Sequence, residues 1–245
     1  TRKAVVNVGK LGILDAVDAA TGEYLFSIDM GLQNVVSAID PETGYKTINP
    51  DTIPNPEAVS LICSNHYGAK SWPPSAFNPI TNRMFIPLNE ACIIASTEGY
   101  SVVTSGVNFA AALNPDSNGS MGRIQAVDMS EQEFAWRHRQ PSPIISSVLA
   151  TAGGLVFVGD LNRGFKALDE ETGEVLWESL LNDVPSSTIA TYSVNDKQYI
   201  ALVVGQTGYH VNDWTRMYGY FAEDEGMPIN DSPKGGAAIW VFALD

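Results

Sequence analysis

The sequence predicts an all-β protein built from repeated antiparallel sheets, with a β-propeller as its architecture. Short β-rich runs recur along the chain, turn residues separate them, and one strand–turn–strand pattern occurs several times. The clearest runs lie at residues 12–16, 84–87, 154–159, 198–204 and 238–243. No stretch of twelve or more residues shows the apolar spacing of an amphipathic helix, so we expect strands throughout.

Length and composition fit one large domain and exclude several functions. The 245 residues are 44% hydrophobic, which is enough to bury one sizeable core. The formal net charge is -14, so we expect neither a basic patch for nucleic acid nor a polybasic membrane anchor. The longest apolar stretch, residues 236–244, is shorter than the roughly 20 residues that cross a bilayer, so no membrane span is expected.

The repeated pattern reads Ala-x-Asp-x-x-Thr-Gly, with an aromatic residue four positions after the glycine. Two copies are complete, a third keeps only the first half, and a fourth keeps both ends but lacks Thr-Gly. These copies begin at Ala16, Ala167, Ala38 and Ala126, in that order. The last three residues of the chain, 243–245, open a further copy. One such turn would indicate only a hairpin, but several copies with the same flanks indicate a structural repeat.

The residue types of the repeat explain its shape. The Asp side chain can accept hydrogen bonds from the turn backbone, and glycine suits a position where φ is positive. The strand that follows then carries a large aromatic ring, which ends the complete copies at Phe26 and Trp177 and the fourth copy at Trp136. A small alanine and a large ring are complementary shapes, so we expect them to interlock stacked sheets.

The repeat resembles the tryptophan-docking motif of the quinoprotein alcohol dehydrogenases, eight-bladed β-propellers that carry pyrroloquinoline quinone (PQQ). Residues 10–22 resemble the family's Lys/Arg-Asn-Gly segment and the Asp-Arg-x-Thr-Gly turn after it. Residues 63–79 resemble its stretch Cys-Pro-x-x-x-Gly-Gly-x-Asn-Trp-x-Pro-x-Ser-Tyr-x-Pro. Residues 149–159 resemble its blade strand Thr-x-Gly-Gly-Leu-Val-Phe-x-Gly, and residues 191–200 and 239–244 resemble its C-terminal blades.

The resemblance covers essentially the whole chain but only the C-terminal half of family members, which are about twice as long. It implies that residues 1–245 are the C-terminal part of a single PQQ-type propeller domain, with about four of the eight blades. An arc of four sheets would leave open strand edges. We therefore expect the remaining N-terminal half of the propeller, or a complementary subunit, as a partner.

The resemblance implies a periplasmic enzyme that oxidises alcohols, with aldehydes as a further substrate class. In the family an Asp acts as general base, and Ca²⁺ or a lanthanide polarises the quinone carbonyl of PQQ. Electrons then pass to a cytochrome or quinone acceptor. The family's general base and metal ligands lie in segments that have no counterpart in this chain, so we assign it no catalytic and no metal-binding residue.

Four residues match cofactor-side positions of the family. Lys10 lies where a Lys or Arg reaches the quinone oxygens and stabilises the reduced, more anionic cofactor. Ser71 replaces an Asn that bonds the edge of PQQ, and Trp72 matches the Trp that lines its ring. Tyr209 follows a glycine-containing turn where the family has a Trp near the cofactor. The alternatives are a solvated lysine at position 10 and packing aromatics at positions 72 and 209.

The two cysteines, Cys63 and Cys92, fit either one disulfide or two buried thiols on composition alone. The resemblance implies a disulfide and an oxidising compartment. The alternative function is a non-catalytic propeller scaffold that binds proteins. Leu11 and Ser71, which replace family Asn residues, favour the scaffold, whereas Lys10, Trp72 and the cysteine pair together favour the enzyme.

Overall fold

The computed structural model of the chain describes residues 2–53, 59–95, 109–205, 209–226, 229 and 236–243. The chain divides into two compact units. The first comprises Thr1–Ser71 and Glu90–Asn118, and the second comprises Trp72–Asn89 and Gly119–Asp245. A helix long and apolar enough to cross a bilayer is not found among the described residues. The single propeller domain over residues 1–245 stays a prediction.

The all-β prediction is confirmed, because strands dominate both units. In chain order the strands are β1 (Ala4–Val8), β2 (Ile13–Asp18), β3 (Tyr24–Asp29), β4 (Val36–Ile39), β5 (Lys46–Ile48), β6 (Ser60–Cys63), β7 (Ala76–Asn78), β8 (Arg83–Asn89), β9 (Ala91–Ala95), β10 (Phe109–Leu113), β11 (Gly122–Asp128), β12 (Glu133–Gln140), β13 (Ile144–Ala150), β14 (Leu155–Asp160), β15 (Gly164–Asp169), β16 (Val175–Leu180), β17 (Ala190–Val194), β18 (Lys197–Val204) and β19 (Ala238–Ala243). A short 3-10 helix, Pro50–Thr52, follows β5, and one α-helix, α1 (Tyr209–Glu225), precedes β19.

The strands form antiparallel sheets of two to four strands. The first unit contains the sheets β1-β2-β3 and β10-β9-β6 and the hairpin β4-β5. The second contains the four-stranded sheets β12-β11-β8-β7 and β13-β14-β15-β16 and the sheet β17-β18-β19. The sequence predicted about four blades, whereas the described residues form five sheets of three or four strands. Three-stranded sheets use less chain than full four-stranded blades, so more of them fit within 245 residues.

Each Asp-x-x-Thr-Gly segment forms the predicted turn. The Asp18 carboxylate accepts hydrogen bonds from the backbone N–H groups two and three residues further on, at 2.9 and 3.1 Å. Gly22 has a φ of 75° and donates its N–H to the Asp18 carbonyl oxygen at 2.9 Å. The same contacts recur after Asp40 and Asp169. Backbone hydrogen bonds lower the pKa of all three carboxyl groups, because they favour the charged form.

The alanine of the repeat lies directly opposite the aromatic ring across the strand pair. Ala126 pairs with Trp136 and Ala167 pairs with Trp177, and a β-bulge follows the alanine in both cases. The Trp136 indole donates to the Glu170 carbonyl oxygen in the next sheet at 2.7 Å. A Cβ on Gly173 would lie 2.5 Å from that indole ring, so only glycine fits there. The predicted interlocking of neighbouring sheets is confirmed for Trp136.

In the first unit a different ring meets the glycine of the following turn. Phe26 lies opposite Ala16, as the repeat predicts. It is Tyr24, two residues earlier, whose ring would lie 2.5 Å from a Cβ on Gly44. The side chain that packs on the turn glycine therefore lies two residues earlier along β3 than the aromatic position of the repeat.

Apolar side chains fill the spaces between neighbouring sheets of the second unit. Phe85, Ile124 and Trp136 pack with Ile144 and Leu168 into one buried cluster. A second cluster, which joins the sheet β13-β14-β15-β16 to the sheet β17-β18-β19, contains Phe157, Phe165, Ile189, Ile200 and Leu202. These clusters hold the second unit together by burial of apolar surface.

The helix α1 is an element that the sequence analysis missed, and the expectation of strands throughout was wrong there. Its buried apolar side chains recur at three- and four-residue spacing, which is the helical period. They are Val211, Trp214, Met217, Tyr218, Phe221 and Ala222. The aromatic content and the internal glycine obscured this period, because both are less common in helices than in strands and turns.

Candidate functional site

Lys10 lies in the tight turn between β1 and β2. Gly12 closes that turn with a φ of 72° and donates its N–H to the Gly9 carbonyl oxygen at 2.9 Å. The Lys10 side chain is exposed, and its ammonium donates to the His66 carbonyl oxygen at 3.0 Å. The carbonyl oxygen of Lys10 accepts from the Ala69 N–H at 2.7 Å. Both ends of the residue are therefore attached to the segment 64–69.

Segment 64–69 is shaped by side-chain bonds to its own backbone. The Asn65 side-chain oxygen accepts from the backbone N–H groups of Tyr67 and Gly68 at 2.9 and 3.0 Å. The Ser64 hydroxyl donates to the Lys10 carbonyl oxygen at 2.7 Å. Gly68 has a φ of 89°, and a Cβ there would lie 2.7 Å from the Cβ of Lys10. This close approach requires glycine.

The predicted disulfide between Cys63 and Cys92 is confirmed. The two residues are directly paired across β6 and β9, and their Cα atoms lie 4.3 Å apart. The bond anchors the residue that precedes segment 64–69, and the Asn65 N–H donates to the Ala91 carbonyl oxygen at 2.7 Å beside it. The disulfide therefore fixes the support on which Lys10 rests.

Lys70 is a residue of this region that the sequence analysis missed. Its side chain is buried, with only 8% of the residue exposed, and its ammonium donates to the Ser71 carbonyl oxygen at 2.9 Å. Burial lowers the pKa of Lys70 to about 8, because desolvation disfavours the charged form. The only signal for Lys70 in the sequence was its position beside Ser71. That signal did not indicate burial, because most lysines are exposed.

Ser71 and Trp72 follow directly. Ser71 is half-buried, and Trp72 keeps 49% of its surface exposed. In the second unit the Trp72 ring meets the ring of His210 edge-on, with centroids 5.8 Å apart and an interplanar angle of 69°. His210 in turn accepts a hydrogen bond at Nε2 from the Trp214 indole at 3.2 Å. Trp72 is thus an accessible aromatic surface with an imidazole beside it.

Tyr209 is the first residue of α1. Its side chain and the preceding residues 206–208 lie outside the described part of the chain, so its predicted role stays a prediction. In the residues that the structure describes, no three His, Cys, Asp or Glu side chains are grouped so that they could hold a metal ion. In the first unit, the Lys10 ammonium and the Ser71 hydroxyl are groups suited to an anionic cofactor. In the second unit, the exposed Trp72 ring is a surface suited to a flat aromatic ligand.

Comparisons with known proteins point to one family. The family described as "Glucose/ethanol/alcohol dehydrogenase, beta-propeller domain" matches residues 98–200. The dehydrogenase subunit of alcohol dehydrogenase (quinone) from Gluconacetobacter polyoxogenes is 29% identical over 100% of this chain and 34% of its own length. The lanthanide-dependent methanol dehydrogenase of Methylorubrum extorquens is 28% identical over 85% of this chain and 37% of its own length.

A solved structure agrees with these relatives. A europium-containing methanol dehydrogenase superposes with a TM-score of 0.82 at 25% identity, over 98% of this chain and 45% of that one. The chain spans about a third of the length of the first curated relatives that it matches. The resemblance seen in the sequence is confirmed: the chain is similar in sequence to quinoprotein alcohol dehydrogenases, and its antiparallel sheets are of the β-propeller type.

Proposed function

We propose that this chain supplies part of the propeller and part of the cofactor pocket of a quinoprotein dehydrogenase. The enzyme oxidises alcohols, with aldehydes as further substrates, using PQQ and a bound Ca²⁺ or lanthanide ion. Electrons pass on to a cytochrome or quinone acceptor. The observation that carries the proposal is the exposed Lys10 ammonium, which donates to the His66 carbonyl oxygen, while the Lys10 carbonyl oxygen accepts from the Ala69 N–H. Both bonds tie Lys10 to the segment that leads to Ser71.

Each unit contains residues whose chemistry suits PQQ, which is a flat aromatic tricarboxylate with two adjacent quinone oxygens. An ammonium has three donors, and the His66 carbonyl takes one of those on Lys10. The others can be directed to quinone or carboxylate oxygens. The exposed Trp72 face suits a flat ring. When bound, PQQ accepts the two electrons removed from the alcohol.

Within this proposal the chain's own residues bind and orient. Lys10 provides a fixed positive charge that favours the more anionic, reduced state of the cofactor. The Ser71 hydroxyl offers a short donor and acceptor at the position of the family's Asn, with a reach that leaves room for a water. We assign the general base and the ligands of the Ca²⁺ or lanthanide ion to sequence outside this chain.

We further propose that more propeller sequence, from an N-terminal half or a complementary subunit, packs against the second unit. Trp136 is docked on the turn of the next sheet and is only 9% exposed, whereas Trp177 occupies the same place in its repeat and is 40% exposed. Trp177, Phe242 and Leu155 line an apolar cavity of about 290 Å³. Among the described strands β19 pairs only with β18. A further strand and its turn would cover both features.

A periplasmic location is part of the proposal. The Cys63–Cys92 disulfide supports it, because such bonds persist in oxidising compartments and are rare in the cytosol. The competing function is a protein-binding scaffold without catalysis. Leu11, half-buried in the Lys10 turn, and the short Ser71 side chain are the observations that favour it.

The test is a PQQ titration of the complete protein, with Ca²⁺ and separately with a lanthanide, followed by dye-linked alcohol oxidation. Lys10→Ala should weaken PQQ binding at least tenfold, because a charge-assisted hydrogen bond contributes about 1.5–3 kcal/mol. Lys3→Ala, which removes an exposed lysine just before β1, is the matched control and should leave binding unchanged. If the folded protein binds no PQQ with either metal, the scaffold function stands instead.

A further inference from the structure

The first turn of α1 brings an imidazole to the accessible tryptophan of the proposed pocket. His210 is half-buried, and its ring meets Trp72 at 5.8 Å in an edge-on arrangement. Edge-to-face pairs of this kind are attractive and directional, since the positive edge of one ring meets the negative face of the other. The contact therefore restricts how the Trp72 ring can turn about its side-chain bonds.

His210 is itself held by the interior of the helix. Trp214, one helical turn later, is fully buried and donates its indole N–H to His210 Nε2 at 3.2 Å. An indole nitrogen can only donate, so His210 Nε2 is the acceptor of this bond. The imidazole orientation is thereby fixed by a residue that cannot move without disturbing the core.

These contacts form a chain from the core to the pocket: Trp214 fixes His210, and His210 packs on Trp72. Trp72 remains 49% exposed, so the ring keeps surface available for a ligand. An unsupported exposed indole would sample several rotamers and would lose that freedom on binding. A supported indole is already ordered, and less conformational entropy is lost when a flat ligand stacks on it.

We propose that His210 is a positioning residue of this pocket, which holds the Trp72 indole in one orientation for the cofactor. The link to PQQ rests on the proposed function above, whereas the effect on Trp72 itself does not. We assign His210 no direct contact with the cofactor or the substrate. It acts through Trp72, and α1 thereby becomes a part of the pocket as well as a packing element.

A double-mutant cycle tests the proposal through PQQ affinity. His210→Ala should weaken PQQ binding about 3- to 10-fold, which is the range expected for loss of one aromatic contact. His210→Phe keeps a ring beside Trp72 and should stay within about twofold of the unaltered protein. In a Trp72→Leu background His210→Ala should have less than about a twofold effect. An equal loss in both backgrounds, or no loss with Trp72 present, would overturn the proposal.

A second measurement needs no cofactor and separates the two proposals. The chain has five tryptophans, so fluorotryptophan labelling gives a small set of ¹⁹F resonances, and Trp72→Leu identifies the one from position 72. His210→Ala should move that resonance towards the value of the free amino acid, and His210→Phe should largely restore it. An unmoved Trp72 resonance overturns the positioning role. A shifted resonance in a protein that binds no PQQ supports it while refuting the proposed cofactor.

Discussion

Replacement of the buried Lys70 should change how stability depends on pH. Burial lowers the pKa of Lys70 from 10.5 to about 8. Between these values the unfolded chain binds a proton that the folded chain does not, so the free energy of unfolding rises with pH. Below about pH 8 the full desolvation cost, about 3 kcal/mol, is present. About 2 kcal/mol of it should be recovered between pH 7 and pH 9.5.

The assay is urea unfolding of the protein and of Lys70→Met at several pH values in that window. The variant has no ammonium to desolvate, so the difference in unfolding free energy between the two proteins should change by about 2 kcal/mol in favour of the lysine as pH rises. Lys3→Met, at an exposed position, should give a curve parallel to that of the unaltered protein. If the curve of the Lys70→Met variant is parallel to it as well, Lys70 is not desolvated and the reasoning fails.

Three further predictions concern the repeat and the disulfide. Gly173→Ala should lower the free energy of unfolding, measured in urea, by about 2–4 kcal/mol, because its Cβ would lie 2.5 Å from an indole ring. Gly22→Ala has a similar φ but open space around it, and it should lower the free energy of unfolding by only about 1 kcal/mol. Equal losses for the two variants would refute the docking argument. Gln132 occupies the glycine position of the fourth copy and has a φ of 60°. Gln132→Gly should therefore raise the free energy of unfolding in urea by about 0.5 kcal/mol, and a loss of stability would contradict this prediction. Replacing Cys63 and Cys92 together by Ser should cost roughly 3.5 kcal/mol for a 29-residue separation, and a cost under about 1 kcal/mol would contradict the loop-entropy argument.

The repeat was predictable from the sequence because its geometry is local. Asp18 bonds to amides within three residues of itself, and Ala126 and Trp136 meet across a single hairpin. Contacts between residues so close in the sequence can be predicted from the local residue pattern. The fourth copy shows that the turn does not depend on glycine alone. Gln132 adopts the same positive φ, so the backbone shape is retained although the glycine is replaced.

The site was predictable only in part. The resemblance pointed to Lys10 and Trp72, and Lys10 lies beside the segment that leads to Ser71. The cofactor roles of both residues stay predictions. The burial of Lys70 and the contact of His210 with Trp72 depend on residues far away in the chain, 138 positions apart in the second case. No local pattern records such contacts. Helix α1 carried a readable period, but its aromatic residues matched the expectation of strands more closely.

The docking of Trp136 on Glu170 also has a consequence for the order of folding. The hairpins close contacts between residues about ten positions apart, which form quickly, whereas the indole joins residues 34 positions apart. The bond cannot form until the hairpin that bears it and the turn that receives it are both in place. We therefore expect these two sheets to form their hairpins first and to dock on each other afterwards.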